Sequence, residues 1–129
     1  MQPKLLYEYA IVRVVPAVER EEFVNVGVIL FSKRQKLIRM RYALQEGKIL
    51  ALQPRADLEE LRENLEAFSK IAAGEKTCNS PIAQLDAAER FRWLTAVRSA
   101  SIQTSRPHPG ISTDLEQTIQ RLFQDMVSE

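Results

Sequence analysis

The sequence predicts a single α+β domain over residues 1–129, a small, mainly antiparallel sheet of about four strands with helices packed on one face. Three observations carry this. Three strand-like runs open the chain and are followed by two helices, a strand and a helix, the order βββααβα. The second and third runs are joined by a short polar link, as in an antiparallel hairpin. The strict strand–helix alternation of a doubly wound parallel sheet is absent. A chain of 129 residues also suits one domain and is too short for two comfortable ones.

Leu5 to Val15 is rich in Tyr, Ile and Val, is apolar on both faces and stops at Pro16, so it reads as a central strand. The charged "VEREE" that follows is a connection or one helical turn. Phe23 to Phe31 is the second strand and Lys36 to Tyr42 the third, where Ile38, Met40 and Tyr42 alternate with Leu37, Arg39 and Arg41. Asp57 with Glu60 three residues on predicts a helix start. Leu58, Leu61, Leu65, Phe68 and Ile71 then recur at helical spacing up to Gly74. Asp86 and Glu89 repeat the pattern before Phe91, Leu94 and Val97, with Trp93 on the flank. "SASIQTS" alternates as a fourth strand with one polar face, and "RPHPG" reads as a rigid loop because two prolines remove two donors. Thr113 with Glu116 opens a last helix whose apolar face is Leu115, Ile119, Leu122, Phe123 and Met126.

Composition excludes more than it selects. The chain is 45% hydrophobic and 27% charged, as in soluble globular proteins. Its net charge of +1 gives no global attraction to nucleic acid or an anionic membrane. One cysteine, Cys78, rules out an internal disulfide, and with His108 the single histidine no metal or other cofactor is expected. Glu8 and Arg13 interrupt the N-terminal apolar run, and no run approaches the roughly 20 residues that span a bilayer, so a cytoplasmic setting is expected.

Two stretches stand out. In "EEFVNVGVILFS", Asn25 and Gly27 weaken an otherwise apolar strand. A three-residue hairpin loop pairs Ser32 with Lys36 and sets Gly27 opposite Arg41. Asn25, Gly27, Arg39 and Arg41 then share one face as a small cationic notch, while Val24, Val26, Val28 and Leu30 face the core. The simpler reading, favoured for a strand glycine, is a bulge or a close neighbour. The second stretch, "TAVRSASIQTSRPHPG", places Arg98, Ser99, Ser101 and Gln103 before His108. Arginine, hydroxyls and an imidazole can assemble a phosphate site. No acid stands at a fixed spacing to orient the histidine and no G-x-S-x-G is present, so a polar strand face is the simpler reading. The basic "KRQKLIRMR" lacks the interleaved aromatics of single-strand binders, and the acidic Glu59, Glu60, Glu63 and Glu66 offer it a counterpart, although both read first as solvated faces.

"YEYAIVRVVPAVEREEFVNVGVILFS", "ERFRWLTAVRSASIQTSRPHPGI" and "LEQTIQRLF" resemble bacterial domain-of-unknown-function family 3037 over nearly the whole chain. The family's members look like proteins encoded beside HipA-like kinases. The resemblance implies a bacterial cytosolic protein accessory to such a kinase, and it supplies no catalytic residues. Two functions are therefore weighed. The first is a non-enzymatic interaction or regulatory module whose partner is another protein, favoured because no complete catalytic constellation is visible. The second is an enzyme or binder of a phosphate-containing ligand, nucleotide or nucleic acid, acting through Arg98, Ser101, Gln103 and His108 with Arg39 or Arg41.

Overall fold

A computed structural model describes residues 3–98 and 100–128, so Ser99 lies outside the described residues. Strand β1 (Leu5–Val14) runs through the middle of the sheet. On one side it pairs with β2 (Val24–Ser32), which pairs in turn with β3 (Leu37–Tyr42). On the other side two short strands lie end to end along it, β4 (Ile102–Thr104) and β5 (His108–Ser112). All pairings are antiparallel. With helices α1 (Glu46–Leu52), α2 (Leu58–Ala73), α3 (Ala87–Leu94) and α4 (Leu115–Phe123), the fold is α+β, as the order of patterns predicts.

Two elements are additions to that order. Helix α1 is short, carries a glycine and buries only Ile49, which leaves too weak a periodic signal to read. Strand β5 replaces the expected "RPHPG" loop. Pro109 has no N–H to give, which an edge strand tolerates and an inner strand does not. Gly110 is needed there because Tyr7, directly opposite, lays its ring across it. A Cβ on Gly110 would lie 2.3 Å from Tyr7 Cζ and 2.4 Å from its hydroxyl. Gly110→Ala is expected to cost about 2 kcal/mol in urea denaturation. Because the obstacle is the end of a side chain, most of that loss should disappear in a Tyr7→Leu background, and an unchanged loss would place the conflict elsewhere.

The helices do not share one face. Ala10, Val12, Val14, Ile29 and Phe31 pack against α1, α2 and α3 through Ile49, Leu65, Phe68, Phe91 and Leu94. Leu5, Tyr7, Val28 and Leu30 pack on the opposite face against Leu115, Ile119, Leu122 and Val127 of α4 and the turn after it. Such two-sided burial is why β1 and β2 read as continuous apolar runs.

The first two helix caps form as read, with Asp57 and Asp86 accepting from the backbone N–H groups of Glu60 and Glu89. The third cap is Asp114 rather than Thr113, in line with the stronger capping preference of aspartate, and it accepts from Gln117 N–H. Helix α3 stops three residues short of Val97. Thr95 Oγ1 donates to the Phe91 carbonyl, and Val97 falls outside the helix, fully exposed. After α4 the chain widens into a π-helical turn, Gln124–Ser128. The extra residue per turn swings Met126 outward and buries Val127 in its place.

The register of the hairpin is one residue away from the expected one. Its loop has four residues, Lys33 to Lys36, with Lys36 in the left-handed conformation at φ 53°. Ser32 therefore pairs with Leu37, Gly27 with Tyr42 and Val28 with Arg41. In addition β2 carries a bulge, since Val12 opposes Gly27 while Arg13 opposes Asn25 and Val26 is left over. A bulge reverses which alternate residues face which side. Val24 and Val26 thus share a face with Ile29 and Phe31, while Val28 and Leu30 point to the other side.

Candidate functional site

The cationic notch expected around Gly27 is filled. A Cβ built on Gly27 would stand 2.7 Å from Tyr42 Cβ and 2.8 Å from the Arg41 carbonyl oxygen, so the glycine marks a bulge where two backbones approach closely. Arg39 and Arg41 lie on the face that carries α4. Arg39 Nε donates to Glu116 at 2.7 Å, and the Arg41 guanidinium sits 5.3 Å from the Phe123 ring centre. The basic hairpin thus meets α4, not the acidic face of α2. The Arg39–Glu116 pair is solvent-exposed and contributes at most about 1 kcal/mol.

Asn25 remains on that same face, because the bulge and the shifted register offset each other. It is one of three polar residues in a row across the end of the sheet. Arg13 on β1 opposes Asn25 on one side and Gln103 of β4 on the other. Asn25 donates to the Met126 carbonyl at 3.2 Å, and Gln103 donates to the Ala100 carbonyl at 2.8 Å.

Beside this row opens a cleft of about 550 Å³. Arg13, Gln103 and Arg98 line it together with Phe23 and Val97, and Glu19 and Glu21 stand in its wall. Each arginine is stacked on an aromatic ring. The Arg13 guanidinium lies 4.0 Å from the centre of Phe23, and that of Arg98 lies 4.2 Å from the centre of Trp93. Arg98 also donates to the carbonyls of Trp93 and Ala96. Burial lowers the pKa of both guanidiniums from the usual arginine value, and no carboxylate pairs with either among the described residues. They remain cations at any physiological pH.

Two details make the row unusual. Arg13 Nε and Asn25 Oδ1 are both buried and both lack a hydrogen-bond partner. Glu21 adopts the left-handed conformation at φ 58°, where a side chain costs about 1 kcal/mol, to close the 3₁₀ turn Val18–Arg20 against the cleft.

Of the residues singled out in sequence, the structure therefore gathers Arg98 and Gln103 in one cleft and brings Asn25 next to it through Arg13. Ser101 and His108 do not line it. Ser101 Oγ accepts from Asn64 of α2. His108 pairs with Tyr9, and the two rings pack tilted by 36° with their centres 5.4 Å apart. It is four strand positions along β1 from Gln103, roughly 13 Å.

Arg13, Phe23 and Val97 escape a reading by pattern. The available signal was a lone arginine inside an apolar central strand, directly before a strand that carries its own misfit, Asn25. Phe23 and Val97 show as site residues only through their exposure, 44% and 105%.

No helix among the described residues is long and apolar enough to cross a membrane. Neither a curated protein nor a solved structure matches the chain. Matched over residues 9–127 by the family described as "Protein of unknown function (DUF3037)", the chain belongs to that family.

Proposed function

We propose that this chain is a non-enzymatic interaction module of the bacterial cytoplasm that docks another protein through the Arg13–Arg98 cleft, with a HipA-like kinase as its partner. The observation that carries the reading is the pair of arginine–aromatic stacks flanking one cleft, with neither guanidinium bound to a carboxylate. Arginine and tryptophan are the side chains that most often concentrate binding energy at protein interfaces. Phe23, Trp93 and Val97 leave 44%, 39% and 105% of their surface in water, so the rings and the valine are available to a partner. The resemblance to proteins encoded beside HipA-like kinases is the ground for naming such a kinase as the partner.

The test is size-exclusion chromatography of this chain mixed with the adjacent kinase. Co-elution at micromolar concentration is expected. Trp93→Ala, which removes the platform under Arg98, is expected to weaken the complex by about 2 kcal/mol. Independent elution of the unmodified proteins would overturn the assignment.

A second reading rests on the same two unpaired guanidiniums, which suit a phosphate-containing ligand. Glu19 and Glu21 in the wall and the distant His108 weigh against it. A nucleotide that raises the melting temperature at low salt, with the effect fading steeply as salt rises, would favour this reading over the first.

A further inference from the structure

Arg13 Nε is a donor and Asn25 Oδ1 an acceptor. They belong to directly opposed residues of β1 and β2, and both are buried without a partner. Buried polar groups in folded proteins are otherwise nearly always satisfied. The two atoms do not bond to each other, so a group that completes both at once offers an acceptor and a donor close together. A phosphate or a carboxylate only accepts, so it would leave Asn25 Oδ1 unsatisfied. A residue of an extended segment offers both on one side, through its own N–H and C=O.

The surroundings suit a chain segment. Phe23, which covers Arg13, borders two clefts, the one of about 550 Å³ on the Arg98 side and another of about 450 Å³ lined by Asn25, Leu52 and Met126. The cover is thus one partly exposed ring with space on either side. The first cleft offers two cations not neutralised by carboxylates, and the second offers apolar surface from Leu52 and Met126. Glutamates 19 and 21 repel a multiply charged phosphate more than a single carboxylate flanked by neutral groups.

From this we infer that the row Gln103–Arg13–Asn25 and its two clefts bind an extended polypeptide segment, the N–H and C=O of one of its residues bridging Asn25 and Arg13 and an acidic side chain meeting Arg98. The inference rests on the reading of the chain as a protein-docking module and specifies what that surface recognises.

Panning a displayed library of random 12-residue peptides on the intact chain, then measuring the affinity of enriched synthetic peptides by fluorescence anisotropy, tests it. Enriched peptides should share an acidic residue next to an apolar one. Val97→Glu should weaken their binding about tenfold more than Val97→Lys does, because only the glutamate adds like-charge repulsion. Val97 is fully exposed, so neither substitution bears on folding. The Arg13 Nε–H resonance should move on peptide addition. No enrichment, enrichment without an acidic residue, equal binding by the two Val97 variants, displacement of bound peptide by ADP, or an unmoved Arg13 resonance would each overturn the inference. Two outcomes separate it from the docking assignment. A kinase complex insensitive to Val97→Glu and uncompeted by peptide overturns the groove and leaves the kinase as a partner held by another surface. Peptide binding with the expected signature but no kinase complex supports the groove and overturns the kinase.

Discussion

Replacing Gly27 by alanine is expected to destabilise the fold by about 3 kcal/mol, read as a lower urea midpoint. The added methyl would meet the Arg41 carbonyl oxygen at 2.8 Å and Tyr42 Cβ at 2.7 Å. Neither atom can be moved by a change of rotamer, because both are fixed by the β3 backbone. Relief requires β2 and β3 to separate, and β2 also carries the bulge against β1. Strain there spreads into the middle of the sheet. Gly47 supplies the control. Nothing lies within 4 Å of its added Cβ and it sits in helix α1, so Gly47→Ala should gain about 0.5 kcal/mol from helix propensity. A Gly27→Ala loss below about 1 kcal/mol would show that close strand approach is not what requires the glycine.

Phe91→Ala is expected to cost about 4 kcal/mol, because it removes a ring that is 2% exposed and stacked on Phe31 with centres 5.1 Å apart. Helix α3 has eight residues, too few to hold together alone. It is attached to the sheet mainly through Phe91 and Leu94. The same helix carries Trp93, and the chain continues directly into Val97 and Arg98, so one core residue supports one wall of the cleft. Loss of partner binding should accompany the loss of stability. Trp93 is the single tryptophan, and its emission reports on the helix during denaturation. Phe91→Leu, which keeps most of the volume, should cost about 1.5 kcal/mol. If Phe91→Ala cost no more than that, α3 would be held by other contacts.

What could be read in advance followed local physics. Capping pairs located the starts of α2 and α3, since the N-cap bond spans only three residues. Apolar runs located β1 and β2, and the alternation in "LIRMRY" located β3. Reading failed where one residue changes the phase. A four-residue loop instead of three moved every pairing of the hairpin by one position, and no Asn-Gly signal fixed the loop. The left-over Val26 exchanged the faces of the strand on either side of it. The two displacements cancel for Asn25, which stays on the face of Arg39 and Arg41, but they do not cancel for Gly27.

The candidate site was half legible. Arg98 and Gln103 were picked out by residue type, and the structure sets them in one cleft. His108 is near them in sequence only. An extended chain carries it away along β1 instead. Arg13, the residue that joins Asn25 to Gln103, gave no sign beyond being charged in an apolar strand.

Local sequence is enough to set the α+β class, the starts of α2 and α3 and the apolar strands, because period, caps and proline act over a few residues of chain. It takes the folded chain to put α4 on the second face of the sheet, β5 at its edge, and Arg13 between Asn25 and Gln103. These follow from strand register and from contacts between segments up to 107 positions apart, as in the pairing of Leu5 with Ser112. No local pattern encodes such pairings, because a single inserted residue reverses them while leaving the hydrophobic run unchanged.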